Sequence, residues 1–236
     1  MTADDDENGR WAAAAARDYR VVLLTVTSGA VNAVSFLALG KVFSSVITGN
    51  LVLLGVAATT HSAPEALHAG LGIAGYAAGV LVGAPLAARR SHQAGTWPAS
   101  VTATLAAELV VLAGFCIGWG LSGGSPHDGG QVALLIVAAA AMGMQSAAVR
   151  RLGQMSSTYL TSTLLGVLAG LATRTRPEGL GRSLGALAAV VVGALAGGIL
   201  AKSAYAWLPV AVLLPLGVVV AGSMKASRRA TRARGR

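Results

Sequence analysis

The chain has 236 residues, of which 54% are hydrophobic and only 11% charged, with a net charge of +9. A soluble domain carries about 25% charged residues, and one of this size could not cover its surface with so few. An ordinary soluble domain, a disordered chain and a disulfide scaffold are therefore excluded, and the composition is that of a polytopic membrane protein. Six of the eighteen Lys and Arg residues lie in the tail, at Lys225, Arg228, Arg229, Arg232, Arg234 and Arg236. Most of the others stand at the ends of apolar runs, where they act as orientation signals and attract anionic lipid. No aromatic residues interleave with the tail, so nucleic acid is not an expected partner. Cys116 is the single cysteine, which leaves no intrachain disulfide and no cysteine metal cluster.

Residues 1–17 open with Asp4, Asp5, Asp6 and Glu7. A cleaved signal peptide would begin with basic residues. The segment is expected to be a disordered cytoplasmic leader before a retained first span. Eight apolar stretches follow, at 21–40, 42–60, 65–88, 100–121, 131–149, 153–172, 183–201 and 206–223. Each is near the length of about 20 residues that a membrane helix needs. Six read as continuous helices. The other two carry polar, helix-weakening clusters: Ser44, Ser45, Thr48, Gly49 and Asn50 in one, Gln154, Ser156, Ser157, Thr158, Thr161, Ser162 and Thr163 in the other. Glycines spaced by four, as in Gly75, Gly79 and Gly83 or Gly193 and Gly197, predict close helix packing. Residues 89–99 and 122–130 read as loops. The second contains Ser122, Ser125, His127 and Asp128, but triad members converge from separate elements, so no enzyme is expected. No cofactor or metal is expected either. Residues 18–223 form one membrane domain, with halves at about 21–121 and 131–223, followed by the basic tail 224–236.

Sliding the chain on itself by 113 residues matches 12 of 65 positions between 25–89 and 138–202. The match includes Thr48 with Thr161 and a polar Pro-Glu-x-Leu segment (Pro64–Leu67 with Pro177–Leu180), and it pairs Asn32 with Gln145. If all eight stretches cross, 12 basic residues lie on one side and 6 on the other; if the two polar stretches dip and return, the split is 16 to 2. The positive-inside rule prefers the second arrangement. The expected fold is thus an all-α transmembrane bundle of two inverted three-helix repeats, each with a short broken or re-entrant segment. The alternative is eight crossings in two parallel four-helix repeats. Both termini are expected in the cytoplasm.

Irregular backbone at membrane depth survives only when buried in protein or lining a wet cavity. The expected substrate-binding residues are therefore Thr48, Gly49 and Asn50 with Thr161, Ser162 and Thr163, supported by Asn32 and Gln145. The competing reading is a satisfied interhelical hydrogen-bond network. Glu108 is the one acid well inside a span; it either couples a proton or pairs with an arginine such as Arg150. Trp11, Trp97, Trp119 and Trp207 fall near predicted boundaries, like an interfacial aromatic belt. The expected partners are the lipid bilayer and a small polar solute or ion, and the glycine-rich faces permit homo-oligomers.

The segment Gly29-Ala-Val-Asn-Ala-Val-Ser-Phe-Leu-Ala-Leu-Gly40, followed by Val42-Phe43 and Thr48-Gly49-Asn50-Leu51, resembles the YoaK-like family of bacterial membrane proteins, a domain-of-unknown-function family. Met142-Gly-Met-Gln-Ser-Ala-Ala-Val-Arg-Arg-Leu152 and Ser157-Thr158-Tyr159-Leu160-Thr161 resemble it too. The likeness runs from about residue 20 to 223. The chain departs from the family pattern at Asn32, often acidic there, at Ser146, often Asn, and at Ser162, often Gly. The resemblance implies a bacterial inner-membrane protein and leaves reaction and substrate open. The function expected from the whole sequence is a small-solute permease or channel-like transporter; the alternative is a non-transporting scaffold or assembly protein.

Overall fold

The computed structural model describes residues 3–89, 97–152, 160–174 and 179–234. Gln154, Ser156, Ser157 and Thr158, most of the 89–99 loop, and the Pro177-Glu178 part of the repeat match lie outside these. Among the described residues there are eight α-helices: α1 (Ala3–Ala38), α2 (Ile47–Thr59), α3 (Ala63–Ala88), α4 (Ala99–Leu121), α5 (Asp128–Arg151), α6 (Leu160–Ala172), α7 (Leu180–Ser203) and α8 (Leu208–Arg234). Among the described residues there is no strand. The leader expected to be disordered is helical, because α1 runs unbroken from Ala3. Five consecutive alanines, Ala12–Ala16, favour the helix, and the acids Asp4–Glu7 sit at its positive end.

Six helices are long and apolar enough to cross a membrane: the Ala15–Ala38 part of α1, then α3, α4, α5, α7 and the segment Tyr205–Arg228. α2 and α6 have 13 residues each, which is about 20 Å of helix against a hydrocarbon core of about 30 Å. Among the described residues six helices, not eight, are long enough to cross.

Tertiary contacts fix the directions. Call the end where α1 enters the bundle proximal and the other end distal. Gly40, just past α1, lies beneath the His68 ring near the start of α3, and Gln131 Nε2 near the start of α5 donates to the Ala38 carbonyl at 2.8 Å. So α1 ends distally, where α3 and α5 begin. At the proximal end Arg182, near the start of α7, meets Asp18 of α1 at 3.5 Å, and Ser100 of α4 donates to the Ala87 carbonyl of α3 at 2.9 Å. α2 does not cross. Asn50 sits against Gly72, so α2 and α3 form an antiparallel hairpin about the 60–62 turn, and α2 begins at mid-depth and ends distally.

Two helix pairs dominate the packing, α1 with α7 and α3 with α5. Both are parallel. In the first, Gly193 lies on Val26, Gly197 on Ala30 and Gly29 on Val190; in the second, Gly79 lies on Ala140, Gly83 on Met144 and Gly143 on Tyr76. The two sets are related by a constant offset of 114 residues. That differs by one from the 113-residue slide, and one residue turns a helix by about 100°. At offset 114 Asn32 corresponds to Ser146 and Gln145 to Val31, so the expected Asn32–Gln145 pairing does not describe the helix contacts. The low-complexity helices gave the slide little to fix its register on.

Helices α1, α5, α4 and α8 form a closed ring, each packed on the next. Its interior is the hydrophobic core, with Leu24, Val31, Leu105, Leu112, Leu135, Ala138, Leu216 and Val219. Trp119 belongs to this core, fully buried and stacked on Phe115 with ring centroids 6.4 Å apart; it is not part of a boundary belt. Trp207 is exposed, and Trp97 lies under the Arg20 guanidinium at 4.9 Å. Outward faces carry Leu81, Val110, Ile117, Leu165, Leu195 and Ile199, the apolar surface a bilayer solvates.

Candidate functional site

Between α1 and α2 the chain breaks at 39–46 and turns back into the bundle. Ser45 Oγ lies 3.2 Å from Ser28 Oγ, and Ser28 is ten residues, about 15 Å, below the distal end of α1. Backbone at that depth has no water to bond. Asn32 supplies what is missing. Its Oδ1 accepts from the Ser44 and Ser45 amides at 3.1 and 3.0 Å and from Ser44 Oγ at 3.2 Å. Its Nδ2 donates to the Ser28 carbonyl at 2.9 Å and to Ser45 Oγ at 2.7 Å. Asn50 does the same one turn into α2: Oδ1 accepts from the Phe43 amide at 2.9 Å, and Nδ2 donates to the Phe43 carbonyl at 2.6 Å. Phe43 stacks on Phe36 at 5.2 Å, closing the segment against α1. Two side-chain amides thus replace the missing helical hydrogen bonds of the break.

These bonds occupy both amides. Thr48 is exposed, and Gly49 is half-buried against Phe43 and Val46. In the other half Thr161 and Ser162 are exposed and Thr163 is half-buried. α2 packs on α3 and α6 on α7, with no substantial packing of α2 on α6. Thr48–Asn50 and Thr161–Thr163 are therefore carried by helices that pack on different partners; Gln154, Ser156, Ser157 and Thr158 of the second cluster lie outside the described residues.

Two other expected residues are central. Gln145 is buried, with Nε2 donating to the Leu24 carbonyl of α1 at 3.0 Å, while its Oε1 has no partner. Glu108 is completely buried in α4, and neither carboxyl oxygen has a hydrogen-bond partner. The expected Glu108–Arg150 ion pair is absent: Arg150 is exposed in the last turn of α5, at the proximal surface, while Glu108 lies inside the ring. Contacts that sequence reasoning missed are Gly40 under His68 and Gln131 on Ala38; the Gly40-Lys41 turn was their local signal. No group of three His, Cys, Asp or Glu suited to a metal exists among the described residues. Cys116 is 6% exposed, so maleimide should leave it unmodified in native micelles and label it fully in dodecyl sulfate; rapid native labelling would contradict the α4 packing.

The family model described as protein of unknown function, DUF1275, matches residues 21–222. The transmembrane protein YoaK (UPF0700) of Bacillus subtilis strain 168 is 32% identical over 165 residues, covering 69% of this chain and 70% of that protein. No solved structure matches the chain. Six apolar crossings, a pinned break after the first of them, and a family match along nearly the whole bundle lead to one assignment: this chain belongs to the DUF1275 family of multi-pass transmembrane proteins.

Proposed function

We propose that the protein is a small-solute permease built from two inverted halves in a bacterial inner membrane. One observation carries the reading: the 39–46 break sits at membrane depth, held by Asn32 and Asn50. Such breaks at mid-membrane are the hallmark of transporter sites. The constant 114-residue offset between the two parallel helix pairs supports two equivalent halves. The proximal end carries Arg17, Arg20, Arg89, Arg150, Arg151, Arg174, Arg182, Lys225 and Arg228, against Lys41 and Lys202 distally, which supports cytoplasmic termini. The occupied amides of Asn32 and Asn50 favour the second reading, a non-transporting scaffold in which the polar motifs only hold the fold.

Orientation is tested by single cysteines in a Cys116→Ala background. Ser62→Cys and Ser125→Cys should both label from outside intact cells, and Arg174→Cys only after permeabilisation. Labelling of Arg174→Cys from outside would reverse or dissolve the inverted arrangement. Function is tested in proteoliposomes by stopped-flow light scattering with a panel of small neutral solutes, and by monovalent-ion flux. Permeation above protein-free vesicles supports the permease; no permeation across the panel, with a correctly inserted protein, leaves the scaffold.

A further inference from the structure

The centre of the molecule is the four-helix ring, and it holds an imbalance of polar atoms. Glu108 Oε1 and Oε2 and Gln145 Oε1 are all buried, and all three lack a partner. These three are acceptors; the unpartnered donors of the bundle, Trp119 Nε1 and Ser35 Oγ, lie nearer its distal end. Gly118 of α4 sits on Leu134 of α5, so these antiparallel helices bring Glu108 level with Met144 and Gln145. Periodicity turns both side chains inward. On α5, Ile136, Ala140 and Gly143 face α3, and Gln145 is on the opposite side, where it reaches Leu24 of α1. On α4, the exposed stripe is Val110, Ile117 and Leu121, and Glu108 lies diametrically across from it. The bond from Gln145 Nε2 to Leu24 fixes the amide, so its oxygen is the free end.

Thr25, next to Leu24 on α1, donates its hydroxyl proton to the Val21 carbonyl at 3.0 Å; Ser223 Oγ of α8 donates likewise to the Val219 carbonyl at 2.7 Å, but stands proximal of Thr25, because Thr27 meets Val212 of α8. Both hydroxyl protons are spent on their own helices, and their lone pairs remain. Among the described residues Glu108 has no ion pair; Arg20, one turn below Leu24 on α1, lies over the Trp97 ring. Residues 21–40 of α1, 129–149 of α5 and 208–224 of α8 contain no Asp, Glu, Lys, Arg or His, and within α3 only Tyr76 is ionisable between residues 69 and 88. Buried acceptors left without donors cost free energy, and a buried acid in a membrane is a functional group before it is a structural one. What satisfies several oxygens and one carboxyl at once is a small monovalent cation.

We propose that Glu108 and Gln145 form a monovalent-cation site in the α1–α4–α5–α8 ring, taking a proton or a sodium ion. It names the coupling ion of the permease reading and rests on that reading for its purpose, though binding itself does not. Glu108 supplies the charge and Gln145 Oε1 a neutral oxygen.

Purified protein in micelles is compared with its Glu108→Gln and Gln145→Met variants. For a sodium site, replacing choline chloride by sodium chloride raises the Tm of the wild type by about 3 °C or more, and both variants lose the shift. For a proton site, sodium has no effect, and pH-difference infrared spectra show a protonated carboxyl band that disappears in Glu108→Gln and moves in Gln145→Met. If the wild type shows neither response, the proposal is overturned. Should Glu108→Gln fail to fold, Gln145→Met, nearly equal in volume and lacking the oxygen, gives the same two readouts. Both measurements need no flux: cation binding without solute permeation would sink the permease and keep the site, and permeation without cation binding would do the reverse.

Discussion

Adding one methyl group at Gly79 or Gly193 will cost this protein about 3 kcal/mol or more of stability. A Cβ at Gly79 would fall on the Ala140 carbonyl, and one at Gly193 on the Val26 carbonyl. The obstructing atoms are helix backbone, which cannot rotate aside as a side chain can. The helices must therefore separate. Each pair is the main contact of its two helices with the rest of the bundle, and helix association in lipid has no hydrophobic drive to restore it; it depends on close van der Waals approach. Gly79→Ala and Gly193→Ala should leave little monodisperse protein on size exclusion and lower Tm by several degrees. Gly166→Ala and Gly217→Ala are the controls. Both positions are helical with nothing near the added carbon, so they should lie within about 1 kcal/mol of wild type, on the stabilising side. If Gly193→Ala is as stable as Gly217→Ala, the α1–α7 packing described above is wrong.

Asn32→Leu is the second large effect. The substitution strands the Ser44 and Ser45 amides and removes acceptors or donors from two buried hydroxyls. A buried donor left without a partner costs about 1–3 kcal/mol, so the sum is about 3 kcal/mol or more. Asn50→Leu strands one amide and one carbonyl, both of Phe43, and should cost less. Hydrogen–deuterium exchange over 40–50 reads the mechanism directly: Asn32→Leu should accelerate the Ser44 and Ser45 amides, whereas Asn50→Leu should act mainly at Phe43. Unchanged exchange in Asn32→Leu would mean that the asparagine does not hold the break. Loss of stability in both variants also explains why a motif that looks like a ligand set can be fixed by folding alone.

Composition and run length were enough to read a multi-pass helical bundle, because burial in lipid leaves no other way to satisfy a backbone in so apolar a chain. The polar cluster Ser44–Asn50 was enough to mark the broken segment before α2, since hydroxyls and Asn50 at the helix start mark where the helix cannot continue unaided. Glu108 stood out as the one acid well inside an apolar run. Three things were not legible. The 113-residue register holds for the short helices α2 and α6 but is one residue off for the long ones, because Ala, Gly and Leu recur too often there for identities to discriminate between adjacent offsets. The gathering of Thr48, Asn50, Thr161 and Ser162 into one site did not follow from their pairing in sequence. α2 packs on α3 and α6 on α7, and where those two carrier helices stand is decided by glycine contacts such as Gly79 on Ala140 and Gly193 on Val26, dozens of residues away. The fate of Glu108 likewise depended on which helices close the ring around it. The sequence by itself determined the local terms: apolar length, helix breaks and the charge at each end. Tertiary structure alone decided which side chains face one another, because a single step along a helix turns a side chain by about 100°, and only the packed partner shows where it points.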